Sequence, residues 1–224
     1  MKRNIIIAFD FSMSKPAMCM KIDEKLLFYT WPAKVDKTTI EKLENSNVIV
    51  RNRNIEPINK SKFDSHTLVL EHVIRSSNLI NMIISDIADI MNRYNINIDT
   101  DNIIISSEGL SFASKGDATL NLAAYKQVLL NKLYEIGFKN IKTYSPITIK
   151  SCAGCAKKAN QSKTSMIDAI KNENPNTHKF IYDLIYNENN LKKKTSFVNT
   201  VDDLVDAYWC LKTTIIKEEI PTCI

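Results

Sequence analysis

Two runs of consecutive isoleucines organise the chain. Ile5-Ile6-Ile7, continued by Ala8 and Phe9, and Ile103-Ile104-Ile105 are short, β-branched and without polar alternation, the pattern of strands buried on both faces. Each isoleucine triplet leads, through two further residues, to an acid: Asp10 after the first and Glu108 after the second. Ala17–Ile22 and Leu26–Trp31 flank the polar Asp23-Glu24-Lys25 and predict a hairpin. Ile141–Tyr144 is a further short strand. Helical spacing is clearest from Asp64 or Ser65 to Tyr94, where Val69, Val73, Ile80, Ile83, Ile87 and Ile90 recur. A second helix is expected over 117–136, with Leu120, Ala123, Ala124, Val128, Leu129 and Leu133 turned inward and Gly137 as its C-cap. Ser145-Pro146 begins a helical turn with proline at the first helical position, another helix is expected near 163–171, and the last runs from about Thr200 to Lys217. Val48-Ile49-Val50 fits a strand, but 32–63 otherwise gives no clean pattern, and 172–200 is polar around an island from Phe180 to Tyr186. Strands alternating with helices predict an α/β fold with helices on both sheet faces.

Composition narrows the classes. A chain of 224 residues suits a single domain with room for a core. No apolar run approaches the length of a membrane span, and Met-Lys-Arg-Asn before the first strand lacks the pattern of a signal peptide. Five cysteines, an odd number without a framework, are expected as reduced thiols, so an intracellular, cytoplasmic protein is expected, in a bacterium or a virus-infected cell. Cys152 and Cys155 have metal-ligand spacing, but a structural zinc takes four ligands and no second such pair exists; two small loop residues are the simpler reading. The net charge is +5, and 136–167 holds six lysines (Lys139, Lys142, Lys150, Lys157, Lys158, Lys163) and no acid. An electropositive surface for a polyanion is expected there.

The acids carry the candidate chemistry. A carboxylate at the tip of a buried strand needs a positive neighbour, and here two strands each deliver one. In the last helix, Asp203 and Asp206 stand three apart and so share a face. The macrodipole accounts for acids in a first helical turn, but Asp206, flanked by Val205, Ala207, Tyr208 and Trp209, fits that account poorly. Two strand-end acids and two helix acids suit hard divalent cations. Two such ions about 3.5–4 Å apart can activate water and stabilise the leaving oxygen of a phosphodiester.

Ile6-Ile7-Ala8-Phe9-Asp10-Phe11-Ser12, Ser107-Glu108-Gly109-Leu110 with Asp117–Leu122, Tyr144–Lys150 followed by Gln161-Ser162-Lys163, and Asp203-Leu204-Val205-Asp206-Ala207 together resemble, in order and spacing, the RuvC family of Holliday-junction resolvases within the ribonuclease H-like superfamily. The resemblance covers roughly 1–30, 100–172 and 200–215. It implies a ribonuclease H-like mixed five-stranded sheet in one nuclease domain spanning 1–224, with insertions near 32–63 and 173–199 that suggest a viral or otherwise divergent relative. It further implies a metal-dependent, structure-selective endonuclease that resolves four-way DNA junctions by paired phosphodiester hydrolysis. Asp10, Glu108, Asp203 and Asp206 would hold two Mg²⁺ ions, or Mn²⁺, in each active site. Lys163 would stabilise charge at the scissile phosphate and count with those acids as catalytic. Lys150, Lys157, Lys158, Lys163, Phe112 and Lys115 would contact DNA, with Phe112 one place after the position where the family carries its junction-probing aromatic. The partners would be branched DNA and a second copy of the chain, through helix 117–136, and no membrane. A related nuclease acting on other branched DNA or RNA–DNA hybrids, and a non-catalytic nucleic-acid-binding module whose acids are only caps, are the alternatives. An actin-like kinase also opens on a strand and an Asp, but its phosphate loops need more than the four glycines available here.

Overall fold

The computed structural model describes residues 2–56, 58, 64–109, 117–155, 163–170, 173 and 196–221, with the side chains of 117, 118, 163, 164 and 196–199 left aside. The strands are β1 (Asn4–Asp10), β2 (Ala17–Ile22), β3 (Lys25–Thr30), β4 (Val48–Val50), β5 (Asn102–Glu108) and β6 (Asn140–Tyr144). The helices are α1 (Lys37–Asn45), α2 (Ser65–Arg93), α3 (Asp117–Glu135), α4 (Pro146–Cys152), α5 (Lys163–Ile170) and α6 (Ser196–Lys217). The fold is α/β, with a mixed sheet in the order β4-β3-β2-β1-β5-β6. β1, β2 and β3 run antiparallel in sequence, and β5 and β6 continue parallel to β1. The sheet therefore has six strands among the described residues where five were expected. The sixth is β4, too short to be decisive in sequence, which pairs parallel to β3 through Phe28↔Val48 and Thr30↔Val50.

Alternation along β1 builds both cores. Ile5, Ile7 and Phe9 face α2 and α3, packing with Leu79, Ile83, Ile87, Leu129 and Leu133. Ile6 and Ala8 face the other way, onto Val201, Leu204, Val205, Tyr208 and Trp209 of α6. Both central strands are thus buried on two faces, as their unbroken isoleucine runs require. The hairpin turn closes at Asp23 with φ +53°, and Gly137 ends α3 at φ +117° as expected, a conformation glycine adopts without penalty.

The 32–63 segment holds more structure than its sequence pattern shows. Asp36 caps α1 by accepting from Thr39 N at 2.8 Å, and the helix buries Leu43 completely. With only Ile40 and Leu43 apolar, α1 carries too little periodicity to be recognised in sequence. The segment is tied to α2 through Asp86. Its carboxylate accepts from Trp31 Nε1 at 2.7 Å and from Arg51 Nε at 2.9 Å. Most of 173–199 lies outside the described residues.

The inward stripe of α3 also differs from expectation. Tyr125, Lys126, Leu129 and Leu133 are buried, whereas Leu120 is 70% exposed and Val128 42%. Ala124 is exposed with them. No helix among the described residues is long and apolar enough to cross a membrane.

Candidate metal and phosphodiester site

β1 and β5 are parallel neighbours in the register Phe9↔Ser107, so Asp10 and Glu108 are the next residues at the same end of the sheet. Adjacent strands lie about 4.8 Å apart, and both acids follow Ile6/Ile104 and Ala8/Ser106 onto the α6 face. α6 crosses that face, buried through Val201, Leu204, Val205, Ala207, Tyr208 and Trp209. Trp209 anchors it by donating from Nε1 to the Met166 carbonyl of α5 at 3.0 Å. Asp203 and Asp206 project at the edge of this buried stripe. Asp10, Glu108, Asp203 and Asp206 consequently line one cavity of about 300 Å³, closed by Pro146, Ile149 and Lys150 of α4 and Met166 of α5.

The start of α6 alters the account of the helix acids. The helix begins at Ser196, not Thr200, and has no acid in its first turn. Asp203 and Asp206 lie in its second and third turns, beyond the reach of the N-terminal dipole, which falls off within one turn. A capping role does not explain them. Asp202 lines a separate small cleft with Ile167, Val205 and Asp206.

Two lysines outside the expected set carry charge near these acids. Lys126 is 7% exposed and donates from Nζ to the Glu108 carbonyl. Burial holds its pKa below the ordinary lysine value, against the pull of Cys210, Glu108 and Asp10. Lys15, in the turn after Asp10, is likewise lowered by burial and opposed by Asp203 and Asp202. Lys126 had one legible signal: it falls three residues before Leu129, on the apolar stripe of its helix, where a lysine needs a reason. Beneath the acids, burial foremost pushes the Cys210 thiol up to about 12, with Glu108 and Asp10 adding to it. The thiol remains protonated and points toward Ser106 Oγ at 3.7 Å.

The lysine-rich segment is less positive than its sequence. Lys142 pairs with Glu218 at 2.8 Å, an acid brought in from the end of α6, and Lys139 lies 3.7 Å over the Tyr134 ring. Lys150 lines the acid cavity. Lys163 opens α5, with its side chain outside the description, and Phe112, Lys115, Lys157 and Lys158 lie outside the described residues altogether. Cys155 is buried, donating from Sγ to the Ser165 carbonyl at 3.2 Å, as suits a small packed side chain. His72 and Tyr125 share a hydrogen bond of 2.9 Å at the α2–α3 boundary.

No family model and no curated protein matches this chain. Among the solved structures that resemble it are two of RuvC from Thermus thermophilus. The one described as the Thermus thermophilus RuvC structure is 11% identical over 97% of each chain, with a TM-score of 0.48. The structure described as RuvC in complex with Holliday junction substrate is 10% identical over 98% of this chain and 97% of that one, also at 0.48.

Chemically, the cavity offers four carboxylates and no imidazole or thiolate, a donor set of hard oxygens that fits Mg²⁺ or Mn²⁺ and not zinc. Among the described residues no three ligating groups converge on one point. A magnesium ion that keeps several waters needs only one or two carboxylates, which acids lining one cavity can supply.

Proposed function

We propose that this protein is a divalent-metal-dependent endonuclease that hydrolyses phosphodiesters in branched DNA, four-way junctions above all, and does so as a homodimer. The observation that carries this reading is the shared cavity of Asp10, Glu108, Asp203 and Asp206 with Lys150 on its wall. Asp10 and Glu108 from the sheet, and Asp203 and Asp206 from α6, would hold two Mg²⁺ ions. When bound, such ions lower the pKa of a water and offset the charge that builds on the scissile phosphate. The chain's own residues do the rest. Lys150 sits where it can pair with a non-bridging phosphate oxygen. Lys126 fixes the Glu108 backbone and keeps a buried positive charge behind Asp10 and Glu108. Ile149 and Met166 form an apolar wall that limits water on one side, and Lys163, at the head of α5 beside that wall, would serve the scissile phosphate.

Two symmetric cuts need two active sites, and a second copy would find exposed apolar side chains on two helices to cover. Leu120 and Val128 on α3 join Val69, Leu70, Val73 and Ile74 on α2 in this respect. Incubating the purified protein with a synthetic four-way junction, a linear duplex and a flap, with Mg²⁺ or EDTA, tests the reading. Mg²⁺-dependent nicking of the junction, abolished by Asp10→Asn, is expected. Junction binding with no cleavage in Mg²⁺ or Mn²⁺ would leave a binding module instead.

A further inference from the structure

A second cavity lies apart from the acid site. It lies across the turn that follows Asp10, has a volume of about 570 Å³, and is bounded by that turn, by Ala33 and Lys34, by Arg53, Ile55, Glu56 and Ile58, and by α2 and α3. Four cations line it, Lys15, Lys34, Arg53 and Arg75, against one carboxylate, Glu56. Glu56 is engaged by Lys34, and Arg75 is held by Glu71 at 2.6 Å. Arg53 has no such counter-ion among the described residues. Its Nε donates to the Trp31 carbonyl at 2.9 Å, and its Nη2 donates to the carbonyls of Met13 and Ser14 at 2.8 and 3.3 Å. A guanidinium carries five N–H donors, and these bonds leave Nη1 without a partner among the described residues. Burial, with Arg75 adding repulsion, lowers the Arg53 pKa to about 10. A desolvated cation beside a second cation is the arrangement an anion relieves.

The remainder of the wall is of another kind. Met13, Ile55 and Ile58 are apolar, and Tyr125 adds an aromatic ring. The volume lies in the range of pockets that hold a whole organic ligand, far more than a bare phosphate fills. Lys15 lines this cavity and also feels the charge of Asp203, which lines the acid cavity, and of Asp202, so the two cavities lie near one another at the turn after Asp10.

We infer that this cavity is a nucleotide-binding site, taking a phosphate at Arg53 and Arg75 and the attached base against Met13, Ile55, Ile58 and Tyr125. Its position beside the acid cavity assigns the nucleotide to a DNA strand that continues past the cleavage point, a step that rests on the nuclease reading; a free nucleotide has the same chemistry. The test uses the full chain in EDTA, with Arg75→Gln to remove a cation and Ile55→Trp to fill the space, each checked to melt within about 2 °C of wild type. Calorimetry measures binding of dTMP and of inorganic phosphate, and fluorescence anisotropy measures the affinity for a four-way junction. Loss of dTMP binding in both variants together with an approximately tenfold weaker junction affinity supports the site and the strand as its source. Weakening of junction binding alone in both variants supports the same source. Loss of dTMP binding with unchanged junction affinity supports the site with a free nucleotide as its ligand. Wild-type junction affinity in both variants and no dTMP binding by the wild type overturns the inference, as does inorganic phosphate binding as tightly as dTMP. Cleavage of the junction in Mg²⁺ by the wild type is scored separately, so a failed nuclease reading and a failed cavity are distinguishable.

Discussion

Asp86→Ala isolates what holds the inserted strand to the body of the protein. Asp86 is 7% exposed and receives two donors, Trp31 Nε1 at 2.7 Å and Arg51 Nε at 2.9 Å. Trp31 is fully buried, so truncation strands an indole N–H with no access to water, at a cost of about 1–3 kcal/mol. Arg51 is 46% exposed and can turn to solvent, which limits the loss of its ion pair to about 0–1 kcal/mol. The sum centres near 2–3 kcal/mol, which for a chain of this length lowers Tm by roughly 4–12 °C. Thermal unfolding followed by circular dichroism measures it, and Trp31→Phe supplies a second arm. In Asp86→Ala/Trp31→Phe the stranded N–H is gone, so the double mutant is more stable than the sum of the single changes by about 1 kcal/mol or more. Additivity within about 0.5 kcal/mol, or a Tm loss under about 2 °C in Asp86→Ala, would refute the reasoning.

Other outcomes follow from the same geometry. Lys126→Met removes an ammonium that would compete with divalent cations at Asp10 and Glu108; even at a separation of roughly 10 Å that repulsion is about 3 kcal/mol at an effective dielectric near 20, so half-saturation in a Mg²⁺ titration of cleavage is expected to shift at least about tenfold lower. The Asp101 carboxyl is held below the usual carboxylate range by its hydrogen bonds with Arg3, at 2.7 and 3.2 Å. A depressed folded pKa gives stability that is present above the unfolded value near 3.9 and is lost as pH falls through the folded value. The Tm difference between wild type and Asp101→Asn is therefore full at pH 7 and shrinks below about pH 4; a difference that grew on acidification would reverse the sign of this linkage. Leu120→Arg/Val128→Arg places charges on exposed positions of α3; under the proposed homodimer, light scattering is expected to read a monomer for this variant and a dimer for the wild type, and a wild-type mass for the variant would contradict pairing through this helix.

Local pattern reveals the parts of this fold that are built locally. The isoleucine runs need no context to be identified as doubly buried strands, and an acid at the tip of each is visible because β1 and β5 end alike. Asp203 and Asp206 share a helix face wherever that helix starts. What sequence conceals is set by distant partners. Lys142 looks like part of a basic surface because its counter-ion, Glu218, is far along the chain. β4 becomes a strand only because β3 presents a free edge, and α1 is fixed by one cap and one leucine. Leu120 and Val128 match the inward period of α3, yet the helix is rotated so that Tyr125 reaches His72 and Lys126 reaches Glu108. A buried lysine on that stripe was the available warning. The cavity around Arg53 was the least legible feature, since its cations come from four separate segments.

The central claim is that four carboxylates from β1, β5 and α6 act together on a phosphodiester. Single-turnover cleavage of a four-way junction by wild type and Asp206→Asn, in Mg²⁺ and in EDTA and at matched junction occupancy, tests it most directly, because Asp206 lies in the third turn of α6, where a capping role cannot account for it. The account predicts Mg²⁺-dependent nicking by the wild type and a loss of at least about a hundredfold in Asp206→Asn with junction binding retained, as expected when a group acting only on the transition state is removed. Cleavage by Asp206→Asn at the wild-type rate, or nicking that persists in EDTA, would contradict it.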